Sequence, residues 1–316
     1  MRVLVTGAAG FVGSHYVRTM VSGGYPSVGP VEVTVYDRLT GAGNLENLAP
    51  VAGRFRFVQG DVSDAGLLDD VLPGHDAVVN FAVETSGTDE DLLVTNALGA
   101  STLFGACRRA GVARVVHIST AEVYGTDVYR TASGAVSEDA RLDPATPFAA
   151  SKAAGDLVAR VAATEGLPVC VTRSPELYGP YSGPMAPLPA LLTGLLEGER
   201  PEPSSRSRDW LHVDDHCRAV QLVLERGRPG DVFNIGGATE ISDPELLERL
   251  IAVTGCRRPE RWAAHVRPGR RLDDTKIRRL GYRPLVDFEE GLTATVQWYR
   301  DNDAWWRPLR EKLPAG

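Results

Sequence analysis

The sequence is sparing with cysteine, positive charge and long apolar runs, and each shortage removes a class of protein. Its 316 residues hold only four cysteines, at Cys107, Cys170, Cys217 and Cys256, with no C-x-x-C pair among them. That excludes a zinc knuckle and a disulfide framework, and leaves the four as small buried hydrophobes. No apolar run is long enough to span a bilayer. Residues 1–5 lead straight into a glycine loop, which leaves no room for a leader peptide, so no membrane contact is expected and the cytoplasm is the expected location. With 34 Lys and Arg against 41 Asp and Glu, the net charge of −7 argues against nucleic acid as a partner. Only residues 257–283 run the other way, with ten Arg and Lys against Glu260, Asp273 and Asp274; by itself such a stretch reads as a solvated face. Internal repeats and low-complexity tracts are absent as well.

What is present suits an enzyme of about two domains. The first 120 residues alternate short apolar runs with helical patterns, the mark of a parallel sheet covered on both faces. Strands are expected at Arg2–Val5, Glu32–Tyr36, Phe55–Gln59, Ala77–Phe81, Val115–Ser119 and Pro168–Arg173, and helices at Phe11–Val21, Ser63–Leu72, Glu90–Ala110 and Ala149–Thr164. Beyond Pro175, six prolines between Pro180 and Pro203 predict a smaller, loop-rich lobe. Helices follow at Val213–Glu225, at Asp243–Thr254 with Asp243 as N-cap and Pro244 at N1, and at Phe288–Asn302, with an extended segment at Val232–Ile235.

Gly7, Gly10 and Gly13 are spaced G-x-x-G-x-x-G between a strand and a helix. There a tight turn brings backbone N–H groups, including those of Phe11 and Val12, to a pyrophosphate at the helix N-terminus. Asp37 closes the second strand, where a carboxylate accepts from the adenosine ribose hydroxyls and repels a 2′-phosphate. NAD is therefore preferred to NADP, with Arg38 next door as the contrary sign. Taken singly, Asp61 and Asn80 read equally well as turn or cap residues.

Several motifs together resemble the extended short-chain dehydrogenase/reductase family, in its NAD-dependent epimerase/dehydratase branch, and within it the dTDP-glucose 4,6-dehydratases. They are Thr6–Gly13, Ser119–Gly125, Pro147–Lys152, Tyr178–Pro180, Arg208–His216 and Phe233–Gly237. The likeness runs from Met1 to about Asn302 and implies an α/β fold: a doubly wound Rossmann parallel sheet with a smaller mixed α/β C-terminal substrate lobe. Residues 1–174 would bind NAD, with 208–236 returning to that domain, and 175–207 with 237–316 would form the lobe. The resemblance adds Asp61, Val62, Asn80 and Ala82 to the cofactor path. It implies a nucleoside diphosphate sugar as substrate, a dTDP-hexose by preference, and a homodimer through a four-helix bundle built from the helices at Glu90–Ala110 and Ala149–Thr164.

The departures from the family are concentrated where the chemistry would be. Thr120, Glu122 and Lys152 match its catalytic positions, but Phe148 replaces the tyrosine whose phenol takes the C4 hydroxyl proton, and Ala121 replaces the aspartic acid that protonates the leaving hydroxyl. Glu176 stands where the family has an asparagine against the phosphosugar, and the loop holding Glu84 is shortened and changed. Arg208, with Arg270 or Arg271, is the expected diphosphate contact. Tyr124, Tyr129 and Tyr178 are candidate replacement phenols whose default role is packing, and His117 is expected as a satisfied core histidine. The His212-x-x-x-His216 spacing would put two imidazoles on one helix face, but it falls on a strand-to-helix junction, so no metal is expected. Two functions follow: an enzyme acting at C4 of a nucleoside diphosphate hexose (dehydratase, 4-ketoreductase or epimerase) with rerouted proton chemistry, or a catalytically silent homologue that binds NAD and a sugar nucleotide.

Overall fold

The computed structural model describes residues 1–25, 29–41, 43–125, 135–237, 239–256 and 271–311. The chain divides into two compact units. The first comprises residues 1–174, 216–235 and 272–283, and the second 175–215, 236–271 and 284–316.

The first unit is built on seven strands: β1 (Arg2–Thr6), β2 (Glu32–Asp37), β3 (Arg56–Gln59), β4 (Ala77–Asn80), β5 (Arg114–Thr120), β7 (Val169–Ser174) and β10 (Val232–Asn234). They lie in the order β10-β7-β5-β4-β1-β2-β3, every pairing parallel. A parallel sheet needs crossover helices, and α1 (Phe11–Val21), α2 (Ala65–Val71), α3 (Asp89–Leu93), α4 (Ala100–Ala110) and α5 (Pro147–Thr164) supply them. Val3, Val5, Val78, Val79, Val115 and Val116 are buried, as strands covered on both faces require. Two-residue strands β6 (Ala135–Val136) and β12 (Arg271–Leu272) also occur; Val136 and Leu272 join Ala121, Val123, Tyr124 and Ala153 in a small core.

The helix expected at Glu90–Ala110 is interrupted. α3 and α4 are separated by a π-helical turn, Val94–Gly99. A Cβ on Gly99 would stand 2.7 Å from Val62 Cγ2, so only glycine lets this turn meet the loop after β3. Cys107, Cys170 and Cys217 are buried and Cys256 half-buried, all four as free thiols.

In the second unit a three-stranded sheet orders β11 (Thr239–Ser242), β9 (Ser207–His212) and β8 (Glu176–Tyr178). α6 (Pro187–Leu196), α8 (Asp243–Thr254), α10 (Phe288–Asp301) and α11 (Asp303–Glu311) share a core with Tyr178 and Trp210. α6 corrects the expectation of a loop-rich segment. Pro187 and Pro189 sit in its first turn, where no intrahelical N–H is needed, and leucines at 188, 191, 192 and 195 are buried. The N-cap of α8 is Ser242 rather than Asp243: the Ser242 hydroxyl accepts from the Glu245 N–H while the Glu245 carboxylate accepts from the Ser242 N–H. Most of α7 (Val213–Arg226) and the one-turn α9 (Thr275–Arg278) belong to the first unit. Among the described residues no helix is long and apolar enough to cross a membrane.

Candidate active site

The glycine loop after β1 is tight for a stated steric reason. Gly7 adopts φ +62° and its N–H donates to the Tyr36 carbonyl at 3.0 Å; a Cβ there would lie 2.5 Å from the Ala82 nitrogen. A Cβ on Gly13 would lie 2.3 Å from the Gly7 carbonyl oxygen, so α1 can start this close to β1 only with glycine in its first turn. Gly10 is the N-cap and offers no side chain to the helix, so the N–H groups of Phe11 and Val12 belong to the first turn that an α-helix leaves without internal partners. Those are the donors an anion at a helix N-terminus uses.

Asp37, at the end of β2, is buried and locks the loop from the side. One carboxylate oxygen accepts from the Ala9 N–H at 2.9 Å and the other from the Leu39 N–H at 2.8 Å. Leu39 has φ +61°, a conformation that costs a branched residue energy and is found where function fixes the backbone. Next to it, the Arg38 guanidinium donates to Asp61 at 3.1 Å and to Glu84 at 2.5 Å. Burial works to raise the Asp61 carboxyl, but bonds from the Ser63 N–H and hydroxyl and from Arg38 outweigh it and hold Asp61 below the usual carboxylate range. Val62 is buried against the π-helical turn. Glu84, expected on the substrate side, is thus paired to the residue that follows Asp37.

Asn80 is buried at the end of β4, and its amide is engaged within the protein. Its oxygen accepts from the Thr6 hydroxyl at 2.6 Å and from the Ala82 N–H at 3.2 Å, which orients its nitrogen as donor to His117 Nδ1 at 3.0 Å. The neutral His117 ring therefore carries its proton on Nε2, which has no partner. The expectation of a satisfied core histidine holds for one nitrogen and fails for the other. Burial, with the Lys152 charge nearby, pushes the ring's proton affinity well below its usual value.

The residues expected to be reactive gather at the end of β5 and the start of α5. Thr120 caps the 3-10 turn Ala121–Tyr124, its hydroxyl accepting from the Glu122 N–H at 3.2 Å; Ala121 is buried and Glu122 exposed. α5 begins with Thr146 as N-cap and Pro147 at N1, which places half-buried Phe148 and buried Lys152 one turn apart on one face. Lys152 Nζ donates to the Ile118 carbonyl at 2.7 Å, and burial pushes its pKa down to about 8, partly opposed by Asp156. Among the described residues, neither Tyr124 nor Tyr178 is free to take the place of the missing tyrosine. Tyr124 is fully buried, its oxygen 2.7 Å from both an Arg173 nitrogen and the Asn234 amide oxygen, and burial pushes it up to about 12. Tyr178 is buried in the second unit's core and raised further by burial. Tyr129 lies outside the described residues.

In the second unit, Arg208 on β9 donates to Glu176 on β8 at 2.9 Å and, through Nε, to Asp243 at 2.9 Å. Glu176 is therefore charge-paired, and the expected diphosphate contact is held by two carboxylates. Arg271 is exposed and Arg270 lies outside the described residues. His212 ends β9, its Nδ1 accepting from the Asp214 N–H at 3.2 Å, whereas His216 is on α7, so the two do not share a helix face. Sequence reasoning missed Asp243 as a partner of Arg208, although the Ser-x-x-Glu spacing of Ser242 and Glu245 marks Ser242 as the cap and so frees Asp243. It also missed Asn96 in the π-helical turn. Its side chain accepts from the Glu84 N–H at 2.9 Å and donates to the Glu84 carbonyl at 2.8 Å and to Ser151 Oγ at 2.9 Å; Ser151 in turn donates to the Phe148 carbonyl at 2.8 Å. No sequence motif announces that connection.

Known proteins resemble this chain along nearly its whole length. A dTDP-glucose 4,6-dehydratase from Streptomyces niveus is 46% identical, the match covering 98% of this chain and 96% of that protein. A crystal structure of the dTDP-glucose 4,6-dehydratase of Streptomyces venezuelae with NAD bound superposes with a TM-score of 0.90 at 45% identity, over 98% of this chain and 100% of the other. A UDP-glucose 4-epimerase of Thermotoga maritima, solved with UDP-glucose, gives a TM-score of 0.85 at 28% identity over 95% of this chain and 99% of the other. Residues 3–236 match the NAD dependent epimerase/dehydratase family, and the chain belongs to it.

Proposed function

We propose that this protein is an NAD-dependent enzyme acting at C4 of a nucleoside diphosphate hexose, a dTDP-hexose by preference, with proton transfers routed through Thr120, Glu122 and Lys152 instead of a phenol. The observation that carries the reading is the combination of an intact dinucleotide loop with a buried Lys152 beside a position 148 that has no oxygen. When bound, NAD supplies hydride acceptance and return. The chain's own part is to hold the dinucleotide at Gly7–Gly13 and to accept or return the hydroxyl proton. A lysine with its pKa at about 8 is neutral often enough near neutral pH to serve as that acceptor, with Thr120 sharing the hydrogen bond. Ala121 offers nothing to protonate a leaving C6 hydroxyl, which favours epimerisation or 4-ketoreduction over 4,6-dehydration.

A second reading, a silent binding homologue, is favoured by one observation: Arg208 already has Glu176 and Asp243 as partners, so an incoming diphosphate must compete with two carboxylates. Incubating the purified protein with dTDP-, UDP- and GDP-hexoses and their 4-keto forms separates the two. A new sugar nucleotide by mass spectrometry, or an NADH absorbance at 340 nm (the ordinary reporter of reduced nicotinamide), supports the enzyme; sugar-nucleotide binding with no product under any condition sinks it and leaves the silent reading.

The same reading includes a cytoplasmic homodimer. Of the apolar residues on the helices in question, Leu92 and Leu103 are buried, whereas Leu93, Leu98, Leu157 and Val161 are 48–57% exposed, an apolar surface on α3, the π-helical turn and α5 that a second copy would cover.

A further inference from the structure

Arg38 is the one sign in the sequence that runs against NAD, because an arginine beside the strand-end carboxylate is the group that accommodates a 2′-phosphate. The structure shows how that guanidinium is employed. One nitrogen lies 3.1 Å from Asp61 Oδ2 and another 2.5 Å from Glu84 Oε2. Both carboxylates are fixed in place by other donors. Asp61 Oδ1 accepts from the Ser63 N–H at 2.9 Å and hydroxyl at 2.8 Å, leaving Oδ2 for Arg38. Glu84 Oε1 accepts from the Thr85 N–H at 3.0 Å and the Ser86 N–H at 3.2 Å, leaving Oε2 for Arg38, while Asn96 clamps the Glu84 backbone at both its N–H and its carbonyl. Two fixed carboxylates thus hold one guanidinium, while both oxygens of the neighbouring Asp37 are engaged by the Ala9 and Leu39 N–H groups.

We propose that Asp61 and Glu84 set the cofactor specificity of this chain: by capturing Arg38 they withhold it from a 2′-phosphate, so that the site takes a dinucleotide with a free adenosine 2′-hydroxyl. The proposal rests on the NAD-dependent reading given above and names the residues that enforce it. Asp37 alone repels a 2′-phosphate, but an uncommitted arginine one residue away would offset that repulsion with charge-assisted bonds to the phosphate oxygens. Bound between two fixed acceptors, Arg38 can turn to a phosphate only by leaving two carboxylates without their counter-charge.

Calorimetric titration with NAD⁺ and NADP⁺ tests this in the ligand-free protein, with circular dichroism melts to show that each variant is folded. The wild-type chain should bind NAD⁺ about 100-fold more tightly, and Asp61→Asn with Glu84→Gln should narrow that ratio at least ~10-fold, mainly through tighter NADP⁺ binding. Adding Arg38→Ala to the pair should abolish the gain, since the freed guanidinium is its source. If the pair does not fold, Glu84→Gln alone retains the oxygen that accepts from Thr85 and Ser86 and should narrow the ratio about threefold. A ratio unchanged in folded variants, or a gain that survives Arg38→Ala, overturns the proposal and leaves the NAD reading standing. A wild-type chain that prefers NADP⁺ also overturns it; one that binds neither dinucleotide overturns both.

Discussion

At the scale of single residues, the proposed chemistry turns on position 148 and its neighbour one turn on. Phe148 keeps an aromatic ring where the family's proton acceptor would be, and Lys152, buried on the same helix face, is the proposed titrating group. Because burial depresses the Lys152 pKa, its basic form grows as pH rises through about 8, so kcat/KM for any step that removes a C4 hydroxyl proton should rise across that value. A flat profile between pH 6.5 and 9.5 would count against Lys152 as acceptor. Phe148→Tyr combined with Ala121→Asp should raise 4,6-dehydration of dTDP-glucose by ~10²–10⁴-fold, the usual contribution of a positioned acid or base; continued silence would move the cause to the substrate side, where Glu176 occupies Arg208. The glycines and Asp37 were legible from spacing, because each has a steric or electrostatic job tied to its place at a strand end or helix start, and Lys152 from the family resemblance. The partners of Arg38 and Arg208 were not, since Glu84 is 46 residues from the one and Asp243 is 35 from the other.

Among the elements, α5 and the π-helical turn meet beneath the candidate site. A Cβ on Gly155 would lie 2.3 Å from the Asn96 carbonyl oxygen, so the helix carrying Phe148 and Lys152 touches the turn carrying Asn96 through bare backbone. Gly155→Ala gains helix propensity of ~1 kcal/mol but overpacks this contact by ~1–3 kcal/mol, so a net loss of stability is expected in urea denaturation, together with weaker dinucleotide binding as Asn96 is displaced from Glu84. Unchanged stability and binding would show that the turn simply moves aside. The alternating apolar runs disclosed the order and kind of nearly every element of the sheet. They failed at Val94–Gly99, where the extra residue of the π-helical turn leaves the helical apolar period almost intact, and at α6, whose prolines read as breakers until they are seen to occupy the first turn.

For the molecule as a whole, histidine makes the fold sensitive to acid. His75, His117 and His216, three of six in the chain, are held below their usual proton affinity, chiefly by burial, with His216 at about 3. Their rings are neutral in the fold and take protons near pH 6.5 once unfolded, so the stability they contribute is complete above that value and is lost as pH falls from 6.5 toward 3. His216 alone should remove roughly 2 kcal/mol by pH 5, and melting curves should show Tm falling steadily below pH 6.5; a Tm constant down to pH 4.5 would contradict this. Oligomeric state is the other property of this scale. Leu98→Lys with Val161→Glu should convert a dimer to a folded monomer in analytical ultracentrifugation, and a wild-type chain that sediments as a monomer would dispose of the apolar-face argument. The run of hydrogen bonds from the Phe148 carbonyl through Ser151 and Asn96 to Glu84, and from its carboxylate to Arg38, bears on how this protein could be re-engineered. Substitutions near position 148 and at the Glu84–Arg38 pair proposed to select the cofactor share one scaffold, so their free-energy effects should couple rather than add, and a catalyst rebuilt at position 148 would have to be optimised jointly with the nucleotide it uses.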